Sequence, residues 1–201
     1  MRVLRRLDRR AAVACAIGLI TLTGCGAKSQ DVGETSGTFT VDVVRASFPT
    51  QQRLAQKSQL VITVRNPGGK TIPDVAVTVE PVQPNSRFKA QAFQESSAES
   101  GLADPSRPVW TLDAGPRGGI TAYTNTWALG RLRPGEVKTF LWRVTAVKAG
   151  VHEIKYTVAA GLNGKAKARL PGGELPTGSF RVNISGAPAE GRLGPGDQPI
   201  R

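Results

Sequence analysis

The stretch SQLVITVRNPGGKTIPDVAVTVE, residues 58–80, decides the fold. In its first nine residues Leu60, Ile62 and Val64 fall on one side of an extended chain, with Thr63 and Arg65 on the other. After an interruption, Val75, Val77 and Val79 share a face against Asp74, Thr78 and Glu80. Successive strand side chains point to opposite faces, so this period of two marks half-buried strands with one wet side. The interruption, Asn66-Pro67-Gly68-Gly69, is turn chemistry: proline cannot donate to a ladder and glycine accepts conformations closed to other residues.

The same alternation extends outward in both directions. TFTVDVVRASF (38–48) sets Phe39, Val41 and Val43 on one face. VKTFLWRVTAV (137–147) sets Phe140, Trp142 and Val144 against Lys138, Leu141 and Arg143. HEIKYTVAA (152–160) offers Ile154, Tyr156 and Val158, and SFRVNIS (179–185) closes with Phe180, Val182 and Ile184. Arg133-Pro134-Gly135-Glu136 is a second turn. Asn163-Gly164 has the composition of a type I′ hairpin and predicts that residues 154–162 pair with 165–170. No stretch after the first 24 residues carries a helical period. Many short strands with frequent Gly/Pro turns predict an all-β, antiparallel Ig-like β-sandwich over residues 38–185.

The central connection, residues 84–128, does not follow this rhythm. SRFKAQAFQ (86–94) and RPVWTLDAG (107–115) are candidate strands, whereas ESSAESGLADPS (95–106) and GPRGGIT (115–121) read as loops. So long a connection implies additional strands, a functional loop, or both, and both are expected. It also holds the candidate binding surface: Arg107, Trp110, Arg117, Tyr123 and Trp127. Exposed aromatic rings give large contact area at low entropic cost. Core packing is the competing use of the same rings, and the favoured one.

The segments LVITVRNPGGKTIPDVAVTV (60–79) and LGRLRPGEVKTFLWRVTAVKAGVHEIKYTV (129–158) resemble bacterial surface domains of the CARDB and related Ig-like type. Val64, Asn66, Gly68, Asp74 and Val75 carry the first half of the resemblance. Leu129, Leu132, Pro134, Gly135, Phe140 and Trp142 carry the second. The resemblance covers about residues 38–185 and implies the sandwich fold. It implies no particular function, because such domains serve as spacers, adhesins and accessory modules.

The N-terminus gives an address. Arg2, Arg5, Arg6, Arg9 and Arg10 precede AAVACAIGLITLT (11–23), an uncharged run too short for a membrane span, which takes roughly 20 apolar residues. This is the pattern of a secretory signal peptide. Its close, Leu22-Thr23-Gly24-Cys25, resembles the lipobox of bacterial lipoproteins. The resemblance implies a diacylglyceryl group on the Cys25 thiol and cleavage between Gly24 and Cys25, with Leu22, Thr23 and Gly24 read by the signal peptidase. Two acyl chains anchor a protein stably where one does not. The Arg9-Arg10 pair does not sit in the usual twin-arginine pattern, so the general secretory route is expected.

The expected organisation is therefore a signal peptide over 1–24, a lipidated cysteine and flexible linker over 25–37, the sandwich over 38–185 and a disordered tail over 186–201. The Gly/Pro-rich run GAPAEGRLGPGDQPIR carries the last of these. The localisation expected is the outer face of the cytoplasmic membrane, or an outer membrane in a two-membrane envelope. Processing would remove Cys15 and lipidation would use Cys25, leaving no disulfide, thiolate metal site or cysteine nucleophile. The formal charge is +12; losing the five arginines and one aspartate of residues 1–24 leaves +8. Such a surface could meet anionic headgroups or wall polymers, but an ordinary solvated basic surface is the favoured reading. Nucleic acid is not an expected partner, because the address is extracytoplasmic and the cations are scattered singly.

The chemistry-bearing residues are sparse. His152 is the only histidine, it opens a strand, and no G-x-S-x-G elbow exists to accompany it. The carboxylates Asp74, Glu80, Glu95, Glu99, Asp104, Asp113, Glu136 and Glu153 form neither a pair with glycosidase spacing nor a D-x-D-x-D run. No phosphate-cradling motif is present. No catalytic residue, metal site or cofactor is expected. The leading reading is a non-catalytic, lipid-anchored module contacting envelope protein or anionic wall polymer. A small-ligand or metal-binding envelope lipoprotein is second, and a hydrolase last.

Overall fold

The structure is a computed structural model and describes residues 34–82, 92–95 and 108–189. Its strands, in chain order, are β1 (Gly37–Thr40), β2 (Asp42–Ser47), β3 (Gln51–Leu54), β4 (Lys57–Arg65), β5 (Ala76–Pro81), β6 (Phe93–Glu95), β7 (Trp110–Ala114), β8 (Ile120–Tyr123), β9 (Thr126–Ala128), β10 (Val137–Ala146), β11 (Gly150–Ala159), β12 (Ala166–Arg169) and β13 (Thr177–Pro188). No helix occurs among the described residues.

Two sheets make the sandwich. One is five-stranded, in the order β2-β4-β10-β7-β6; the other is six-stranded, in the order β3-β13-β11-β5-β9-β8. The period-two pattern translates directly into burial. Leu60, Ile62 and Val64 of β4 and Phe140, Trp142 and Val144 of β10 are all fully buried. Val77 and Val79 of β5, Ile154 and Val158 of β11, and Val182 and Ile184 of β13 meet them from the other sheet. Each such side chain contributes about 1.5–3 kcal/mol by leaving water. The sheets touch through rings: Trp127 of β9 and Trp142 of β10 meet edge to face, centroids 5.5 Å apart. The chain is thus an antiparallel Ig-like β-sandwich, as the alternation predicts.

The local expectations need three corrections. Residues 38–48 do not form one strand. They break at the buried Val41, so that β2 pairs antiparallel with β4 while β1 pairs parallel with β12. The hairpin expected at Asn163-Gly164 does not pair its arms. β11 already has β5 on one edge and β13 on the other, which leaves no free ladder for residues 166–169. They pair with β1 instead, and Gly164 takes its positive φ of 81° in a turn between β11 and β12. Finally, β13 runs to Pro188 rather than ending at 185, because β3 lies parallel beside it and the Ala189 N–H donates to the Leu54 carbonyl at 2.8 Å. Residues 190–201 lie outside the described residues.

The central connection supplies four of the strands. β7 pairs with β10 and takes β6 alongside in parallel, while β8 and β9 extend the other sheet beyond β5. The expectation of additional strands in 84–128 is met. The loop expected at 95–106 lies outside the described residues apart from Glu95, and that at 115–121 is a turn leading into β8.

Candidate functional site

The start of β4 and its neighbours form a groove on the outer face of the five-stranded sheet. Its lining residues include Gln56, Lys57, Gln59, Asp113, Ala114 and Arg143, and its volume is about 560 Å³. Register brings them together. Gln59 sits opposite Arg143 and Lys57 opposite Thr145, so Lys57, Gln59 and Arg143 project from the outward rows of β4 and β10. On the other flank, Ala114 pairs with Arg143 but Leu112 with Val144, which leaves Asp113 as the extra residue of a bulge. A bulge re-aims side chains beside it. Here it turns Asp113 to accept a hydrogen bond from the Thr145 hydroxyl at 2.8 Å.

The groove's upper wall is the turn into β4. Ala55 holds a left-handed φ of 61°, its N–H donates to the Ala146 carbonyl at 2.9 Å, and Ala146 donates in turn to the Gln56 carbonyl at 3.1 Å. The Gln56 side chain closes the turn by accepting the Arg53 N–H at 2.8 Å. Two cations, Lys57 and Arg143, thus share a groove with one carboxylate already engaged by Thr145. That balance favours ligands carrying negative charge or many hydrogen-bond acceptors.

The opposite end of the sandwich receives the chain. There the Glu34 carboxylate accepts backbone N–H groups of Leu162 and Asn163, each at 2.9 Å, and of Ala166 at 2.6 Å. Burial by itself pushes the Glu34 carboxyl up, but the hydrogen bonds from Asn163, Ala166, Leu162 and Lys165 outweigh it and hold the group below its ordinary value. β4 runs from the groove at Lys57 to Arg65 at this end, a distance of about 27 Å at roughly 3.4 Å per residue.

The residues predicted from sequence fall apart in space. Leu22, Thr23, Gly24, Cys25 and Arg107 lie outside the described residues. Trp110 and Trp127 are 0% and 5% exposed, so they belong to the core and line no binding surface. Trp110 packs against Phe48 and Phe93 and donates its indole N–H to Gln52 Oε1 at 2.8 Å. Gln52 Nε2 in turn donates to the Pro49 carbonyl. The described remainder of that candidate surface is Arg117 and Tyr123, exposed near the β8 edge of the six-stranded sheet. The reason is parity: β7 and β9 continue the two sheets, and their tryptophans occupy inward positions.

His152 lies at the strand start expected for it. Its Nε2 is 3.2 Å from the Ala149 carbonyl and its ring meets the edge of Trp110, centroids 6.0 Å apart. Among the described residues no three His, Cys, Asp or Glu side chains cluster as metal ligands would. Sequence reasoning missed Glu34, which the polar run GETSG disguises as linker. It also missed the groove, whose cations read as isolated surface charges until register pairs them.

No protein-family model matches this sequence, and no curated protein matches it. Similar solved structures include Escherichia coli alpha-2-macroglobulin from domain MG7 to the C-terminus, at 15% identity, covering 76% of this chain and 17% of that one, with a TM-score of 0.41. Another is the CARDB domain of the PF1109 protein from Pyrococcus furiosus, described in complex with di-metal ions: 16% identity, 75% of this chain, 94% of that one, TM-score 0.36. A third is PapD-like domain 7 of human CEP192, at 14% identity, 90% of this chain, 100% of that one and TM-score 0.39. All three scores lie below 0.5, so the class of this protein, an Ig-like β-sandwich, rests on its own strand pairing.

Proposed function

We propose that this protein is a lipid-anchored extracytoplasmic binding module, without catalytic activity, that presents the Lys57–Arg143 groove to an envelope protein or an anionic wall polymer. The observation that carries the reading is Leu22-Thr23-Gly24-Cys25 at the close of a basic-then-apolar N-terminus. Acylation of Cys25 would fasten the chain at its Glu34 end and leave the groove at the far end of β4. The groove's two cations complement an acidic partner. The sole histidine is committed to the Ala149 carbonyl and to the edge of Trp110, which speaks against its service as a general base.

The test has two parts. Mass spectrometry of the membrane-extracted protein should find an N-terminal Cys25 carrying diacylglycerol; an unmodified thiol, or an uncleaved leader, would reject the anchor. A photo-crosslinking residue at Gln59 in intact cells should then capture a partner that is lost in Lys57→Glu/Arg143→Glu. Capture unchanged by that double reversal would reject the groove as the contact.

A second reading, a small-ligand envelope lipoprotein, is favoured by one observation: about 560 Å³ is within the usual size of small-molecule sites. It requires an anionic metabolite that raises the melting temperature of the wild type but not of Arg143→Ala.

A further inference from the structure

The Glu34 end of the sandwich carries an uneven distribution of charge. Three loops meet there and are tied to one another. Asn66, 1% exposed, donates its side-chain amide to the carbonyls of Lys70 and Leu132, each at 2.9 Å, which fastens the 66–75 loop to the 129–136 loop. The Asp74 N–H donates to the Ala160 carbonyl at 3.2 Å and the Gly37 N–H to the Lys165 carbonyl at 3.0 Å, which adds the 160–166 turn. Lys70, Arg131, Arg133, Lys165 and Lys167 are all exposed on these loops and on β12. Among the described residues, none of the five has an ion-pair partner.

The carboxylates of the same end are mostly engaged inside the protein. Glu34 accepts three backbone N–H groups, Asp74 accepts the Gly130 N–H, and Glu136 accepts the Arg133 N–H. Asp42 is bound to Arg65 at 2.9 Å. Glu174, on the neighbouring turn into β13, is the exposed acid nearby. Glu34, Asp74 and Glu136 each brace a loop and Asp42 bridges β2 to β4, whereas the five cations are exposed and make no ion pair among the described residues.

Chain length aims this end. From Cys25 to Glu34 the chain makes nine Cα–Cα steps, at most about 32 Å at roughly 3.6 Å each. Glu34 is itself fastened to the 162–166 turn, so the leash is tied at the cationic end. We infer that the end formed by Lys70, Arg131, Arg133, Lys165 and Lys167 docks on anionic phospholipid headgroups, holding the sandwich upright with its groove pointing away from the bilayer. The inference rests on the lipid-anchor reading above. Each cation brought to an anionic surface should strengthen attachment about fivefold, an effect that fades within a Debye length.

The test uses the full processed protein, extracted from membranes and reconstituted into vesicles of phosphatidylcholine alone or with phosphatidylglycerol. With Cys25 acylated, an introduced Gly69→Cys is a single labelling site beside Lys70; a Cβ there meets nothing within 4 Å. Lys148→Cys, in the turn between β10 and β11 at the groove end, is the control. The expected result is quenching of the Gly69→Cys dye by a headgroup quencher only in phosphatidylglycerol vesicles. It should be relieved by 1 M salt and by combined Arg131→Glu, Arg133→Glu, Lys165→Glu and Lys167→Glu, while Lys148→Cys stays unquenched. Equal quenching in the two vesicle types, or quenching indifferent to the charge reversals, overturns docking. Flotation separates the two readings. Protein that floats with neutral vesicles is anchored whatever the quenching shows. Protein that floats only with anionic vesicles, reversibly in salt, keeps docking and loses the anchor, and protein that floats with neither loses both.

Discussion

Asn66 Nδ2 lies 2.9 Å from the carbonyl oxygen of Leu132, sixty-six residues later in the chain, and the bond is buried. The same amide group donates to Lys70 O, and its oxygen accepts the Gly68 N–H at 3.0 Å. One side chain therefore closes its own turn and fastens a second one to it. Asn66→Ala would remove all three bonds; the Leu132 carbonyl keeps the Ile72 N–H at 2.9 Å, whereas the Lys70 carbonyl and the Gly68 N–H, both part-buried, lose their partner, at roughly 1–3 kcal/mol for each group cut off from water. A loss of about 3 kcal/mol, read as a fall of about 6–12 °C in melting temperature, is expected. A fall under 2 °C would mean that water replaces the amide at no cost.

Trp110 and Tyr123 separate core from surface. Trp110→Ala should cost about 3–5 kcal/mol. Gln52→Leu should cost about 1–3 kcal/mol, because it strands the buried indole N–H. Tyr123→Phe keeps the ring of an exposed residue and should stay within about 0.5 kcal/mol. Urea titration of the three variants checks the ranking, and a Tyr123 variant as damaging as Trp110→Ala would contradict it.

Glu34 makes folding depend on acidity in a defined direction. Its carboxyl titrates lower in the folded protein than in the unfolded chain. The stabilisation it gives is present above the unfolded value and is lost as pH falls through the folded one. Glu34→Gln should be less stable than wild type at neutral pH, and the gap in urea midpoint should close as acidification passes through the lowered range of the folded carboxyl. A gap that persists unchanged into acid would show that the bonds to residues 162–166 do not depend on the charge.

Gly178 of β13 lies opposite Tyr156 of β11. A Cβ at Gly178 would sit 2.6 Å from Tyr156 Cζ, and that ring, 8% exposed, is held by Phe180 at 5.8 Å between centroids. Gly178→Ala must push the ring aside, at about 1–3 kcal/mol. Pairing with Tyr156→Leu, which shortens the side chain, should recover part of the loss in a double-mutant cycle. Additive costs would show that the two sites do not interact.

Ser58 offers the opposite sign. Its hydroxyl is buried without a hydrogen-bond partner, on the inward row of β4 that continues as Leu60, Ile62 and Val64. Ser58→Ala removes that orphan group and should be neutral or stabilising, by up to about 1 kcal/mol in urea denaturation. A clear destabilisation would reveal a bond the hydroxyl makes in solution.

Period two was enough to determine β4, β5, β10, β11 and most of β13, and with them the sandwich. Alternation fixes which side chains must leave water, whatever the partner strand turns out to be. In 38–48 and 165–170 it proved weaker, because a strand pattern does not say which edge is vacant. β11 had none to offer, so β12 went to β1. The tryptophans of 84–128 carried no periodic context strong enough to show that they point inward. The groove and the cationic end were still less legible. Lys57 and Arg143 are eighty-six residues apart, and only the ladder between β4 and β10 makes them neighbours.

The class of fold was legible in the chain alone, since burial of alternate side chains is a local property of an extended segment. So was the expectation of an acylated Cys25, because a lipobox would be read by its processing enzyme from an unfolded peptide. Where charge collects depends instead on contacts between segments far apart in the chain. The fastening of Glu34 to a distant turn, the engagement of the acids beside it and the placing of Lys57 and Arg143 in one groove all depend on strand register. Register is set by the packing of whole sheets, not by any short run of residues.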